Sequence, residues 1–225
     1  MWASGDFPRV SRDTVGGVGR AMVEAAGVAP GGPTCSSSAA APDRLRDMAV
    51  HVALLRGINL GPNRRVAMAD LRALLTEAGY GDVRTHLQSG NVVLSSTARP
   101  QALAATLETL LAERFGIEIP VVVRSHAQLA AVVKHDPLGD MADDPKKYVV
   151  TFLSGEPDAS FVRSIADGDH APERFAAHGQ ELYTWHPNGI QKSKLARLVG
   201  DKRLGVTPTA RNWATVTKLL AMASE

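Results

Sequence analysis

A single cysteine, Cys35, occurs in the 225 residues. One thiol cannot close an internal disulfide or build a cysteine metal cluster, and a reducing, cytoplasmic setting is the simplest inference. No apolar run approaches the roughly 20 residues needed to cross a bilayer. The first residues lack a basic-then-apolar signal pattern, because Asp6, Arg9, Arg12 and Asp13 interrupt it. Neither secretion nor a membrane partner is expected. Aromatics are scarce at 5%, so Ala, Val and Leu must do most of the packing. Net charge is also small, +2, too little to imply a polyanion partner by itself. The seven histidines show no metal-ligand spacing such as H-E-x-x-H, and neither a metal nor another cofactor is expected.

What is present is an ordinary globular composition, 44% hydrophobic and 21% charged, sufficient for a real core. The charge is unevenly spread. Thr184 to Glu225 carries seven Lys/Arg against two acids, whereas Met48 to Tyr183 carries thirteen against sixteen. A basic last fifth suits an anion-facing surface, or simply a solvated face. Residues 1–47 differ again, with Gly16-Gly17, Gly31-Gly32-Pro33 and a small-residue run from Ser36 to Ala41. Such a stretch buries too little to offset its ordering entropy. It is expected to be a disordered leader, with Met48 the true start.

From Met48 onward the pattern is regular. Ala49 to Arg56 reads as a buried strand, and Met68, Leu71, Leu74, Leu75 and Ala78 recur at helical spacing before Gly79. Val83 to Gln88, the turn Ser89-Gly90-Asn91 and Val92 to Ser95 read as a hairpin. Pro100 opens a second helix closed by Gly116, and Pro120 to Arg124 is a strand. That β-α-β-β-α-β order is the ferredoxin-like arrangement, with helices on one face of a largely antiparallel sheet. A linking helix capped by Ser125 and Gln128 follows. The order then repeats: a strand at Tyr148–Leu153, a helix at Asp158–Ala166, a hairpin at Arg174–His178 and Glu181–His186, a helix at Lys192–Val199, an extended segment within Gly205–Ala210 and a helix capped by Asn212. The fold class expected is α+β, two intertwined ferredoxin-like halves at about 48–124 and 125–225. One mixed sheet and two separate lobes are equally compatible with this pattern.

Three stretches carry a family resemblance: Ala53-Leu54-Leu55-Arg56-Gly57-Ile58-Asn59-Leu60-Gly61, Gln88-Ser89-Gly90-Asn91-Val92-Val93, and Asn188-Gly189-Ile190-Gln191-Lys192-Ser193-Lys194-Leu195 with Thr209-Ala210-Arg211-Asn212-Trp213 close behind. In that order they resemble the bacterial family called domain of unknown function 1697. The resemblance implies two intertwined ferredoxin-like halves and no established activity.

The same stretches supply the candidate ligand residues. Arg56, Asn59 and Arg65 lie in a loop with two glycines, where guanidinium forks and backbone N–H groups suit phosphate or carboxylate. The plain alternative is a strand-to-helix turn with exposed arginines. Gln88, Ser89 and Asn91 present amide and hydroxyl groups, although a hairpin tip uses such residues anyway. Lys192, Ser193 and Lys194 sit near a helix start where Ser193 could donate to a phosphate, or where two lysines are merely solvated. Arg211 is left over beside a capping Asn212 and a core Trp213. No catalytic acid, base or nucleophile can be named. The leading expectation is a binding protein for an anionic ligand, either a nucleic acid or a phosphorylated small molecule. An enzyme acting on a phosphorylated metabolite and a protein–protein scaffold are the alternatives.

Overall fold

The computed structural model describes residues 48–61 and 64–225. The expected leader at 1–47 lies outside them, as do Pro62 and Asn63. The first half runs β1 (Ala49–Leu55), α1 (Met68–Glu77), β2 (Gly81–His86), β3 (Asn91–Ser96), α2 (Pro100–Phe115), β4 (Val121–Ser125) and α3 (His126–His135). The second runs β5 (Tyr148–Leu153), α4 (Ala159–Ala166), β6 (Arg174–His178), β7 (Glu181–Trp185), α5 (Lys194–Leu198), β8 (Pro208–Asn212) and α6 (Trp213–Ala223). A 3-10 turn at Lys202–Leu204 lies between α5 and β8.

Each half forms its own four-stranded sheet, ordered β2-β3-β1-β4 and β6-β7-β5-β8, with every neighbouring pair antiparallel. This is the expected βαββαβ order, twice. It resolves the open choice against a single mixed sheet. The repeat also includes the helix after the last strand. Ser125 caps α3 through a full capping box, and Asn212 caps α6 by accepting from the Thr215 amide at 2.9 Å.

The expectation of helices on only one face of each sheet needs correction. Strand alternation sends Val52, Leu54, Val93 and Val122 to one face of the first sheet, and Tyr148, Val150, Phe152 and Tyr183 to one face of the second. These two faces share one core with Leu129 and Val132 of α3 and with Val216 and Leu219 of α6. The linking helices therefore fill the space between the sheets, and α6 packs against strands of both. On the outer face of the first sheet, Ala53, Leu55, Val92 and Leu94 pack under α1 and α2. On the outer face of the second, Leu153 and Leu182 pack under α4 and α5.

The outer cover is unequal. The second helix of the first half has sixteen residues, whereas its counterpart α5 has five. The predicted helix over 192–199 is shorter because Ser193 is its cap, accepting from the Ala196 amide at 2.8 Å. Part of the second sheet is thus left without a helix above it.

Candidate ligand cavity

The uncovered region is a cavity of about 500 Å³. Its floor is the outer face of β5 and β7, with Val149, Thr151, Thr184 and His186. Its walls come from Leu55, Arg56, Gly57 and Ile58 after β1, from Ser89 in the β2–β3 hairpin, and from Thr209 to Asn212 of β8. Both halves contribute, so the cavity lies at their junction. The lining is mainly apolar. Leu60, Leu87 and Ile190, exposed by 86%, 60% and 43%, stand around it.

Strand register shows how the floor differs from its equivalent in the first half. Val52 pairs with Arg124, and Val150 with Arg211. Thr151 and Thr184 therefore stand where the first half has Ala53 and Leu94, both buried in the apolar core under α2. Thr184 and His186 form a buried chain. Glu173 Oε1 lies 2.9 Å from His186 Nδ1, and His186 Nε2 lies 2.8 Å from Thr184 Oγ1. Burial pushes the Glu173 carboxyl up, but His186, Ser193 and the Leu195 amide together outweigh it and hold the group below its usual range. Neither His186 nor Thr184 has exposed surface, so these two side chains brace the floor. Thr151 is different. Its Oγ1 is buried without a hydrogen-bond partner, a costly state that a ligand can relieve.

Arg211 crosses from β8 to the first half. Its Nη2 donates to the carbonyls of Leu55 at 2.8 Å and Ser89 at 3.1 Å, and its Nη1 to Thr209 Oγ1 at 3.0 Å and the Ala210 carbonyl at 2.8 Å. Its Nε donates to Asn91 Oδ1. All five N–H donors are occupied, so Arg211 supplies the cavity with charge rather than with free donors. Burial lowers its pKa to about 10, which leaves it cationic at neutral pH.

The remaining candidate residues are divided. Arg56 lines the cavity, is exposed and makes no side-chain hydrogen bond among the described residues. Ser89 lines it too, with its hydroxyl accepting from Asn91 Nδ2 at 3.0 Å. Asn91 is spent on the hairpin and on Arg211. Asn59 latches its own loop, with Nδ2 donating to the Val66 carbonyl at 3.0 Å and the Gln88 carbonyl at 2.7 Å. Asn59, Arg65 and Gln88 border a separate shallow hollow beside the first cavity. Ser193 is committed as a cap. Lys192 and Lys194 are exposed and do not line the cavity, although Ile190 and Ala196 on either side of them do. Thr151, Thr184 and the apolar rim were not anticipated. In sequence they are ordinary strand threonines and loop aliphatics, and only the register of the two halves singles them out.

The fold and site together define a duplicated α+β protein with a half-covered cavity at the junction of its repeats. The chain belongs to the family described as "Protein of unknown function (DUF1697)", which matches residues 48–183. No curated protein matches it. Among solved structures it is similar to the conserved bacterial protein SP0830 from Streptococcus pneumoniae, at 22% identity and a TM-score of 0.64, over 78% of this chain and 99% of the other. That likeness concerns the fold.

Proposed function

We propose that the chain binds a small anionic molecule with an apolar body in the junction cavity. The observation that carries this is the cationic Arg211, with no carboxylate in ion-pair distance among the described residues, at the wall of an apolar cavity. A partly desolvated, uncompensated charge attracts an anion more strongly than a surface lysine does. Arg56, exposed at the same wall, makes no side-chain hydrogen bond among the described residues, and Thr151 Oγ1, buried at the floor, has no partner among them; a small rotation of that side chain would let it meet a ligand. Apolar lining with a few convergent polar groups is the usual character of a small-molecule site.

The same geometry disfavours the nucleic-acid branch of the expectation. Sheets that bind RNA do so with exposed aromatics. Here the strand aromatics Tyr148, Phe152, Tyr183 and Trp185 are buried, and Phe175 of β6 is half-buried against the apolar cluster under α4 and α5.

The test is a fluorescence titration with anilinonaphthalene sulfonate, an apolar monoanion, competed by octyl phosphate, octanoate and uncharged octanol. Displacement by the two anions ahead of octanol is expected, and Arg56→Gln should weaken it. Probe binding that responds equally to octanol and the anions, or none at all, removes the proposal.

A further inference from the structure

Arg124 and Arg211 are counterparts in the two halves. Each sits one residue before the cap of the following helix and pairs with a valine three residues from the end of its half's first strand, Arg124 with Val52 and Arg211 with Val150. Each donates from Nη1 to the carbonyl of the residue before it, Val123 or Ala210. Each reaches from Nη2 into the opposite half, Arg124 to the carbonyls of Leu153 and Gln180, Arg211 to those of Leu55 and Ser89. Each uses Nε on the first residue of a hairpin's return strand. Here the symmetry breaks: Arg124 meets the Glu181 carboxylate at 2.7 Å, whereas Arg211 meets the Asn91 amide oxygen.

The hollows beside the two arginines differ to match. The one at Arg124, about 300 Å³, is walled by Ala104, Ala105 and Glu108 of the long α2. Its arginine charge is cancelled, and Ser154 stands where the other cavity has Arg56. The one at Arg211 is larger, lacks the long helix, keeps its charge and has the unpartnered, 98%-buried Thr151 hydroxyl on its floor.

We infer that Asn91 is the specificity-determining residue of the junction cavity: an amide at the position that holds Glu181 in the other half leaves Arg211 uncompensated, and so makes one of two equivalent hollows selective for anions. This rests on the reading of that cavity as the ligand site. It assigns Asn91 no contact with the ligand. Its role is to hold the guanidinium with a neutral acceptor, so that ligand charge, not an internal carboxylate, balances it.

The experiment places a carboxylate on Arg211 in two independent ways, Asn91→Asp and Thr209→Asp. Thr209 Oγ1 accepts from the opposite edge of the guanidinium, so the second variant spares the hairpin that Asn91 also braces. Circular dichroism confirms that each is folded. The probes are anilinonaphthalene sulfonate and, as an uncharged control, Nile red. Either folded variant should bind the sulfonate roughly tenfold or more weakly, the scale of one nearby unit charge in a partly buried setting, and should lose clearly more sulfonate affinity than Nile red affinity. In the parent chain itself, sulfonate affinity should fall with added salt and Nile red affinity should not. Failure of the parent to bind the sulfonate defeats the ligand-site reading. Parent binding that either folded carboxylate variant retains in full overturns the role of Asn91 alone, whereas parent binding that is indifferent to salt defeats the reading of the cavity as an anion site.

Discussion

Arg124 and Glu181 form a buried ion pair across the two halves, Nε to Oε1 at 2.7 Å, with only 6% and 12% of their side chains exposed. The pair ties β4 of the first half to β7 of the second. The guanidinium also lies 5.8 Å from the centre of the Phe152 ring. A buried charge stripped of its partner is far costlier than a surface one.

Glu181→Ala should therefore destabilise the chain by about 3–5 kcal/mol, because it abandons Arg124 in a desolvated position. Urea unfolding measures this. Arg203→Ala serves as contrast. Its ion pair with Asp201 is largely exposed, and losing it together with the cation–π contact to Phe161 at 4.4 Å should cost far less than the loss of Glu181.

Thr151→Val should separate stability from binding. The hydroxyl is buried and unpaired, so its isosteric removal should leave the chain as stable or up to about 1 kcal/mol more stable. Sulfonate binding should weaken at the same time. A variant that is clearly less stable would show that the hydroxyl already has a partner in the free protein.

Two motif glycines should respond differently to alanine. Gly90 adopts φ +73°, and a Cβ there would come within 2.7 Å of Leu55 Cβ and 2.8 Å of Ile58 Cδ1. Left-handed strain and overpacking add, so Gly90→Ala should cost about 2–5 kcal/mol. Gly57 adopts φ +69° in open space, and Gly57→Ala should cost only about 1–2 kcal/mol. Thermal melts of the two variants check the order.

His51 should give the fold an acid-sensitive limb. Its ring is buried with neither nitrogen in hydrogen-bond geometry among the described residues, and burial, only partly offset by the nearby Ser96 backbone, lowers its pKa below 6.5. The unfolded chain then binds a proton that the folded chain refuses. Its contribution is complete above about pH 6.5 and is lost progressively as the pH falls from there toward the folded pKa. Denaturation midpoints from pH 8 to pH 5 should decline less steeply for His51→Leu than for the parent.

Much of the architecture was legible because local signals agreed. Gly116 ends α2 in a left-handed conformation, Ser125 with Gln128 makes the capping box, and strand β5 is read to the residue. The layering was not legible. Periodicity shows that a strand has an apolar face but not which helix will cover it, and nothing local to α6 says that it lies between the sheets. Arg211 stood out in sequence, whereas Arg124 was hidden at the end of a valine run. The shared signal was an arginine directly before a capping Ser125 or Asn212. The candidate site was only partly legible, since a loop residue such as Asn59 has the same appearance whether it latches its own backbone or faces a ligand. Thr151 and Thr184 acquire meaning only against Ala53 and Leu94 in the equivalent register.

The most direct test of the junction cavity is to titrate the isotopically labelled chain with octyl phosphate and follow its amide and arginine Nε resonances. The account predicts shifts concentrated at Gly57, Thr151 and Thr209 and at the Arg211 side chain, with the Arg124 side chain unmoved. Shifts centred on Arg124, scattered over the exposed lysines, or absent at saturating ligand would contradict it.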